Sequence, residues 1–196
     1  MVPEILPPRK ASHMFPGLFS CDLLVLAGDI VGTHRWLAEW LALCSVPVIY
    51  VLGNHEYYGK SLERTESAFR YALDALPHVH FLNGESVVIK GVRFVGATLW
   101  SDFDGENPLV MEECRDKIND FRQVEGITVT KILELFRKER DWIDSELSTP
   151  FDGPTVVVTH YAPSPQISSV FGYKITFSLR DNKDLTIDTL YSPYYI

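Results

Sequence analysis

No cluster of lysines and arginines occurs anywhere in the 196 residues, and acidic side chains outnumber basic ones 26 to 18, giving a formal net charge of −8. The electrostatic footprint of a nucleic-acid binder is therefore missing, and nucleic acid is not an expected partner. An acidic chain that handles phosphate esters needs cations from elsewhere, most simply as metal ions. Cysteine is scarce and odd in number (Cys21, Cys44 and Cys114), with no Cys-x-x-Cys pair. That argues against a disulfide framework or a zinc site and for thiols in a reducing, cytoplasmic setting. No apolar run approaches about 18 residues, so no membrane span is expected. The opening MVPEILPPRK lacks the apolar stretch of a signal peptide. Internal repeats and low-complexity tracts are absent too.

What is present suits one globular domain: 46% of residues are hydrophobic and 22% charged, enough apolar material for a sizeable core. Residues 1–21 carry four prolines and read as an irregular segment. DLLVLAG (22–28) is an apolar run of strand length. A helix should follow, capped by Thr33, with Trp36, Leu37, Trp40, Leu41 and Cys44 on its core face. PVIYVLG (47–53) is a second buried strand, and Leu62, Phe69, Leu73 and Leu76 mark a helix over about 60–76. Between 79 and 100, strand-like runs are broken by Asn83-Gly84 and Lys90-Gly91; Asn-Gly is a hairpin signal. Residues 101–127 read as a polar loop. A long helix fits 129–147, with Glu134, Lys138, Glu139 and Arg140 on its solvated face. PTVVVTH (154–160) is another buried strand. Strands alternating with helices predict an α/β fold with added antiparallel strands. The tail, 166–196, reads differently: YKITFSL alternates like an edge strand, and RDNKD suits the turn of a β-hairpin.

Three buried strands end alike. LLVLAGD ends at Asp29, VIYVLGNHE at Asn54, His55 and Glu56, and TVVVTH at His160. Ligands of open α/β sheets bind beyond the carboxyl ends of the strands. As parallel neighbours of one sheet, these strands would bring an Asp, an Asn and two His into one small volume. Such oxygen and imidazole donors suit Mn, Fe, Zn or Mg. Gly28 and Gly53 permit a sharp turn and close backbone approach just before them. Each residue also has a plainer reading: Asp29 could cap its turn, and Asn54 could be an ordinary turn residue. Glu56 fits a hydrogen-bonding neighbour of the site better than a ligand. His34, five residues past Asp29, either faces the site or ends a solvated helix. Asp102, in LWSDF, either lines a substrate cleft or belongs to a structural turn.

Gly28-Asp29, then Gly53-Asn54-His55-Glu56 25 residues on, then Thr159-His160, in that order and in this apolar context, resembles the calcineurin-like metallophosphoesterase family. The resemblance spans about residues 22–165, a partial phosphoesterase domain. It implies a β-sandwich flanked by helices, in α/β/β/α layers, holding two divalent metal ions. By resemblance Asp29 bridges both metals, Asn54 and His160 ligate the second, and His55 sits beside the leaving group as proton donor or charge stabiliser. The implied reaction is hydrolysis of a small phosphomonoester or phosphodiester by metal-activated water.

Two family motifs are missing. Residues 1–21 hold no Asp, so no Asp-x-His precedes Asp29, and His13 is a weak remnant at best. No Gly-His-x-His follows His160. The first metal would keep only Asp29; the second would keep Asp29, Asn54 and His160. This predicts a fold incomplete at both ends, a chain impaired in catalysis with one metal or none, and an origin in a truncated or frame-disrupted enzyme. The alternative is a non-catalytic remnant or binding module on the same scaffold. Loss of the first strand would also expose a hydrophobic sheet edge beside the strand ending at Asp29, a route to dimerisation unless the tail covers it.

Overall fold

The computed structural model describes residues 21–163 and the backbone of one further strand, Ile187–Leu190. Strands β1 (Leu23–Ala27) and β2 (Val48–Val51) are fully buried, as continuous apolar runs of parallel sheets are. They pair in parallel with each other, and β2 pairs in parallel with β3 (Val79–Phe81). Strand β4 (Glu85–Ile89) is antiparallel to β5 (Val92–Ala97), and β5 is parallel to β6 (Thr155–Thr159). With β7 (Ile187–Leu190), the sheets have the orders β3-β2-β1-β7 and β4-β5-β6.

Burial sorts these elements into the expected α/β/β/α layers. Leu23, Val25, Ile49 and Val51 of the first sheet pack on Phe94, Val156 and Val158 of the second. The opposite face of the first sheet packs on helices α1 (His34–Leu41) and α2 (Leu62–Leu73), through Leu37, Leu41, Phe69 and Leu73. The far face of the second sheet meets the long helix α5 (Val129–Ser148) through Val95, Ala97 and Ile143. Thr33, Ser61 and Thr128 cap the three helices by accepting N–H groups of their first turns. Among the described residues no helix is long and apolar enough to cross a membrane.

Several expectations change. β1 and β2 are neighbours, but β6 belongs to the other sheet, so the three strand ends do not share one sheet. Asn83-Gly84 is not a hairpin: it carries the chain from β3 in one sheet to β4 in the other. The hairpin turn is Lys90-Gly91, where both residues have positive φ (49° and 77°), as a two-residue turn between antiparallel strands requires. The polar stretch 101–127 holds helices α3 (Pro108–Lys117) and α4 (Asp120–Gln123). Helix α3 buries no residue completely, so it leaves no core periodicity to read; Pro108 and the Asn107 cap start it instead. Trp36 lies on an exposed rather than a core face of its helix. The edge of β1 that a missing first strand would leave open carries β7, paired in parallel from Leu23↔Ile187 to Leu26↔Leu190. The rest of the expected tail hairpin, with His13, lies outside the described residues.

Glu139 is the sharpest departure. Its carboxylate is buried under the second sheet and accepts the Leu99 N–H at 2.7 Å, fixing a turn in which Leu99 has φ +52°. Burial pushes its pKa up to about 7. The unfolded chain releases this proton near the ordinary glutamate value while the folded chain keeps it, so stability falls as pH rises from about 4.5 to 7. The full effect is about 3 kcal/mol. Glu139→Gln keeps the acceptor and removes the titration. In urea unfolding at pH 5 and pH 8, the variant should gain on the wild type by about 2–3 kcal/mol across that range. A difference between the two that does not change with pH would disprove this.

Candidate active site

The ends of β1, β2 and β6 meet where the two sheets face each other. Gly28 turns the chain out of β1 with φ +84° and Asp29 follows at φ +56°. The packing leaves no room for a side chain before either polar residue. A Cβ on Gly28 would stand 2.5 Å from Gly53 N, and one on Gly53 would stand 2.1 Å from Asp29 Oδ1. This close approach is why glycine precedes the polar residue in both motifs.

Glu56 fixes the two turns to each other. Its fully buried carboxylate accepts four backbone N–H groups: Gly53 at 2.7 Å, Asp29 at 2.8 Å, Ile30 at 2.7 Å and Val31 at 3.2 Å. Burial and the neighbouring Asp29 raise its pKa, and the donated hydrogen bonds oppose that rise. Glu56 is wholly buried and its carboxylate is occupied by these backbone N–H groups.

The β6 end is anchored just as firmly. The Thr98 carbonyl accepts the N–H of both His160 (3.2 Å) and Tyr161 (3.1 Å), while its hydroxyl donates to Leu52 O at 3.0 Å, across to the first sheet. His160 is 3% exposed and its Nδ1 lies 2.8 Å from the Ala27 carbonyl, so that nitrogen carries the proton. Burial lowers the His160 pKa and favours the neutral ring. Its Nε2 lone pair then faces Asn54 Oδ1 at 3.1 Å and Asp29 Oδ2 at 3.6 Å.

Two acceptor oxygens set against one acceptor nitrogen make a poor hydrogen-bond arrangement and a good cation cradle. Ligands about 2.1 Å from a metal stand roughly 3.0–3.4 Å apart, close to the spacing observed. Among the described residues no three His, Cys, Asp or Glu side chains form a metal-binding group, so the set depends on the Asn54 amide. It fits one cation. Among the described residues a second would have only Asp29, whose Oδ1 already accepts the His55 N–H at 3.0 Å. Burial raises the Asp29 pKa, and His55 partly offsets it.

His55 stands at the rim with about a third of its side chain exposed and Nδ1 3.9 Å from Asp29 Oδ2. Its ring lies on Tyr58 at 4.6 Å between centroids. Asp29, Asn54, His55 and His160 are thus brought together, with Glu56 behind them. Two other residues are not part of the group. His34 packs edge-on against Phe69 at 6.0 Å. Asp102 makes no hydrogen bond or ion pair with the four; its carbonyl accepts the Glu106 N–H in a turn, Phe103–Glu106, of positive-φ residues. Sequence reasoning passed over Asp120. It is 3% exposed, and Oδ1 accepts from Asn54 Nδ2 and Tyr58 OH, both at 2.7 Å, while Oδ2 accepts from Tyr161 OH at 3.2 Å. A single Asp in KINDFRQ offers no spacing signal that would find it.

Comparison with known proteins points the same way. The family model "Calcineurin-like phosphoesterase" matches residues 5–188, further in both directions than the motifs alone span. An uncharacterised protein of Acanthamoeba polyphaga mimivirus, L509, is 25% identical over 129 residues, covering 59% of this chain. The matched part is 45% of that protein, so this chain spans less than half the relative's length. The crystal structure of a phosphopantetheinyl hydrolase from Mycobacterium tuberculosis superposes with a TM-score of 0.55 at 17% identity, covering 77% of this chain and 62% of that one. At that identity the likeness is one of fold.

Proposed function

Since the chain belongs to the calcineurin-like phosphoesterase family, we propose that it is a metal-dependent hydrolase of a small phosphomonoester or phosphodiester, working with one firmly held divalent cation, Mn, Fe, Zn or Mg. The observation that supports this reading is the convergence of Asp29 Oδ2, Asn54 Oδ1 and His160 Nε2. A cation held there supplies Lewis acidity and neutralises charge on the phosphoryl oxygens. Asp29 and Asn54 present oxygen donors, and the His160 ring is kept in the right tautomer by the Ala27 carbonyl. With Asp29 on the Nδ1 side of His55, Nε2 is the ring nitrogen that gives a proton to the leaving alkoxide. The net charge of −8 disfavours a nucleic-acid substrate. Cys44 and Cys114 are free thiols, in keeping with a cytoplasmic enzyme.

A second reading, a non-catalytic module on the same scaffold, draws on the ligand count: only one cation's donors are present among the described residues. Hydrolysis of a chromogenic phosphodiester with added Mn²⁺ separates the two. The wild type should exceed an Asn54→Ala, His55→Ala double variant by at least about a hundredfold. Equal rates would leave the module. Metal analysis should find one ion per chain, and two tightly held ions would refute the single-cation count.

A further inference from the structure

We propose that Asp120 is a positioning residue that selects which end of the Asn54 amide faces the cation. This rests on the reading that Asp29, Asn54 and His160 hold one.

An Asn amide is nearly symmetric in shape, and only its hydrogen-bond partners decide its orientation. On one side of Asn54 stands His160 Nε2, an acceptor 3.1 Å from Oδ1, and Asp29 Oδ2 lies 3.6 Å from that same nitrogen. Left to this neighbour, the amide would turn its NH₂ toward the ring nitrogen, donate to it, and close the cradle to a metal. The opposite side holds the Asp120 carboxylate, 2.7 Å from Asn54 Nδ2. Turning the amide would set a carbonyl oxygen against a buried carboxylate at that distance, repulsive and with neither lone pair satisfied. Asp120 therefore pins the NH₂ and leaves Oδ1 for the cation.

Asp120 is itself held from two directions. Tyr58 OH and Tyr161 OH donate to it, so the loop after β2 and the loop after β6 close on one carboxylate at the start of α4. Trp100 stacks on Tyr161 at 5.7 Å and keeps that donor in place. His55 lies on Tyr58, so the same carboxylate also steadies the ring beside the cradle.

The test reads metal affinity and the amide itself. By calorimetry, Asp120→Ala should weaken Zn²⁺ binding about 10–100-fold, the usual effect of removing a residue that orients a ligand. Asp120→Asn, which keeps an acceptor for Asn54 Nδ2, should recover most of that loss. Tyr161→Phe should stay within about threefold of wild type. Equal affinity in wild type and Asp120→Ala would overturn the proposal. In the metal-free wild type, the Asn54 NH₂ signals, assigned by their loss in Asn54→Ala, should exchange with water far more slowly than those of exposed Gln123. Exchange as fast as Gln123 would overturn it even if Asp120→Ala does not fold. A wild type that binds no Zn²⁺ while its Asn54 protons are protected would sink the phosphoesterase reading and leave the Asp120–Asn54 clamp standing.

Discussion

Replacing Glu56 by glutamine, a change of one atom, should cost about 3 kcal/mol of folding free energy, and replacing it by alanine at least about 4 kcal/mol. The reason is the direction of its hydrogen bonds. All four partners of the carboxylate are backbone N–H groups, from Gly53, Asp29, Ile30 and Val31. A glutamine supplies one accepting oxygen, and its NH₂ points at N–H groups that also donate. Alanine leaves all four donors without that acceptor, the two buried ones, Gly53 and Val31, at about 1–3 kcal/mol each and the half-buried pair at less. Domains of this size have only about 5–15 kcal/mol in total, so the alanine variant should sit near the edge of folding. Urea midpoints at pH 7 would show it. A Glu56→Gln variant within 1 kcal/mol of wild type would mean that the four N–H groups find other partners. The same change should loosen the Asp29 and Asn54 turns relative to each other, since Glu56 is the group that joins them.

The second large effect concerns His55. Its alanine variant should lose about 10²–10⁴-fold in turnover of a phosphodiester with an alkoxide leaving group, the range expected for a lost general acid. With a nitrophenolate leaving group, which departs without a proton, the loss should be under about tenfold. Zn²⁺ affinity should not change, because His55 stands outside the three-atom donor set and its N–H, which holds Asp29 Oδ1, survives the substitution. Equal losses on both substrates would remove the proton-donor role and leave His55 as a charge stabiliser.

Much of this arrangement was legible in the chain. Runs such as LLVLA and VIYV are apolar throughout, and each is followed by a glycine and then a group that can bind a cation. That pattern is local and survives without knowledge of the fold. It singles out Asp29, Asn54 and His55, while His160 stands out only as the residue that ends the apolar run TVVVT, and Glu56 reads as a supporting group beside them. His34 is suggested by nearness to Asp29 in sequence, and Asp102 by its place just past a strand, each with a plainer structural reading beside it. The one packs edge-on against Phe69, and the other precedes a left-handed turn and makes no hydrogen bond or ion pair with the four.

Asp120 and Glu139 were not legible, for a common reason. Each is a single carboxylate among other charges, in a segment whose outward face looks solvated. Burial of Glu139 depends on how α5 lies across β5, and burial of Asp120 on how α4 closes over two loops. Neither follows from periods of 2 or 3.6 residues, which report one face of one element.

The chain by itself determined which residues end its strands and what chemistry they can do, because strand burial and the glycine turns are properties of a few consecutive residues. Tertiary structure alone decided that β6 reaches the site from the opposite sheet, that β7 lies along β1, and that Asp120 sets the Asn54 amide. Those outcomes depend on which surfaces pack together, and a buried hydrogen bond between residues 54 and 120 exists only after that packing has excluded water.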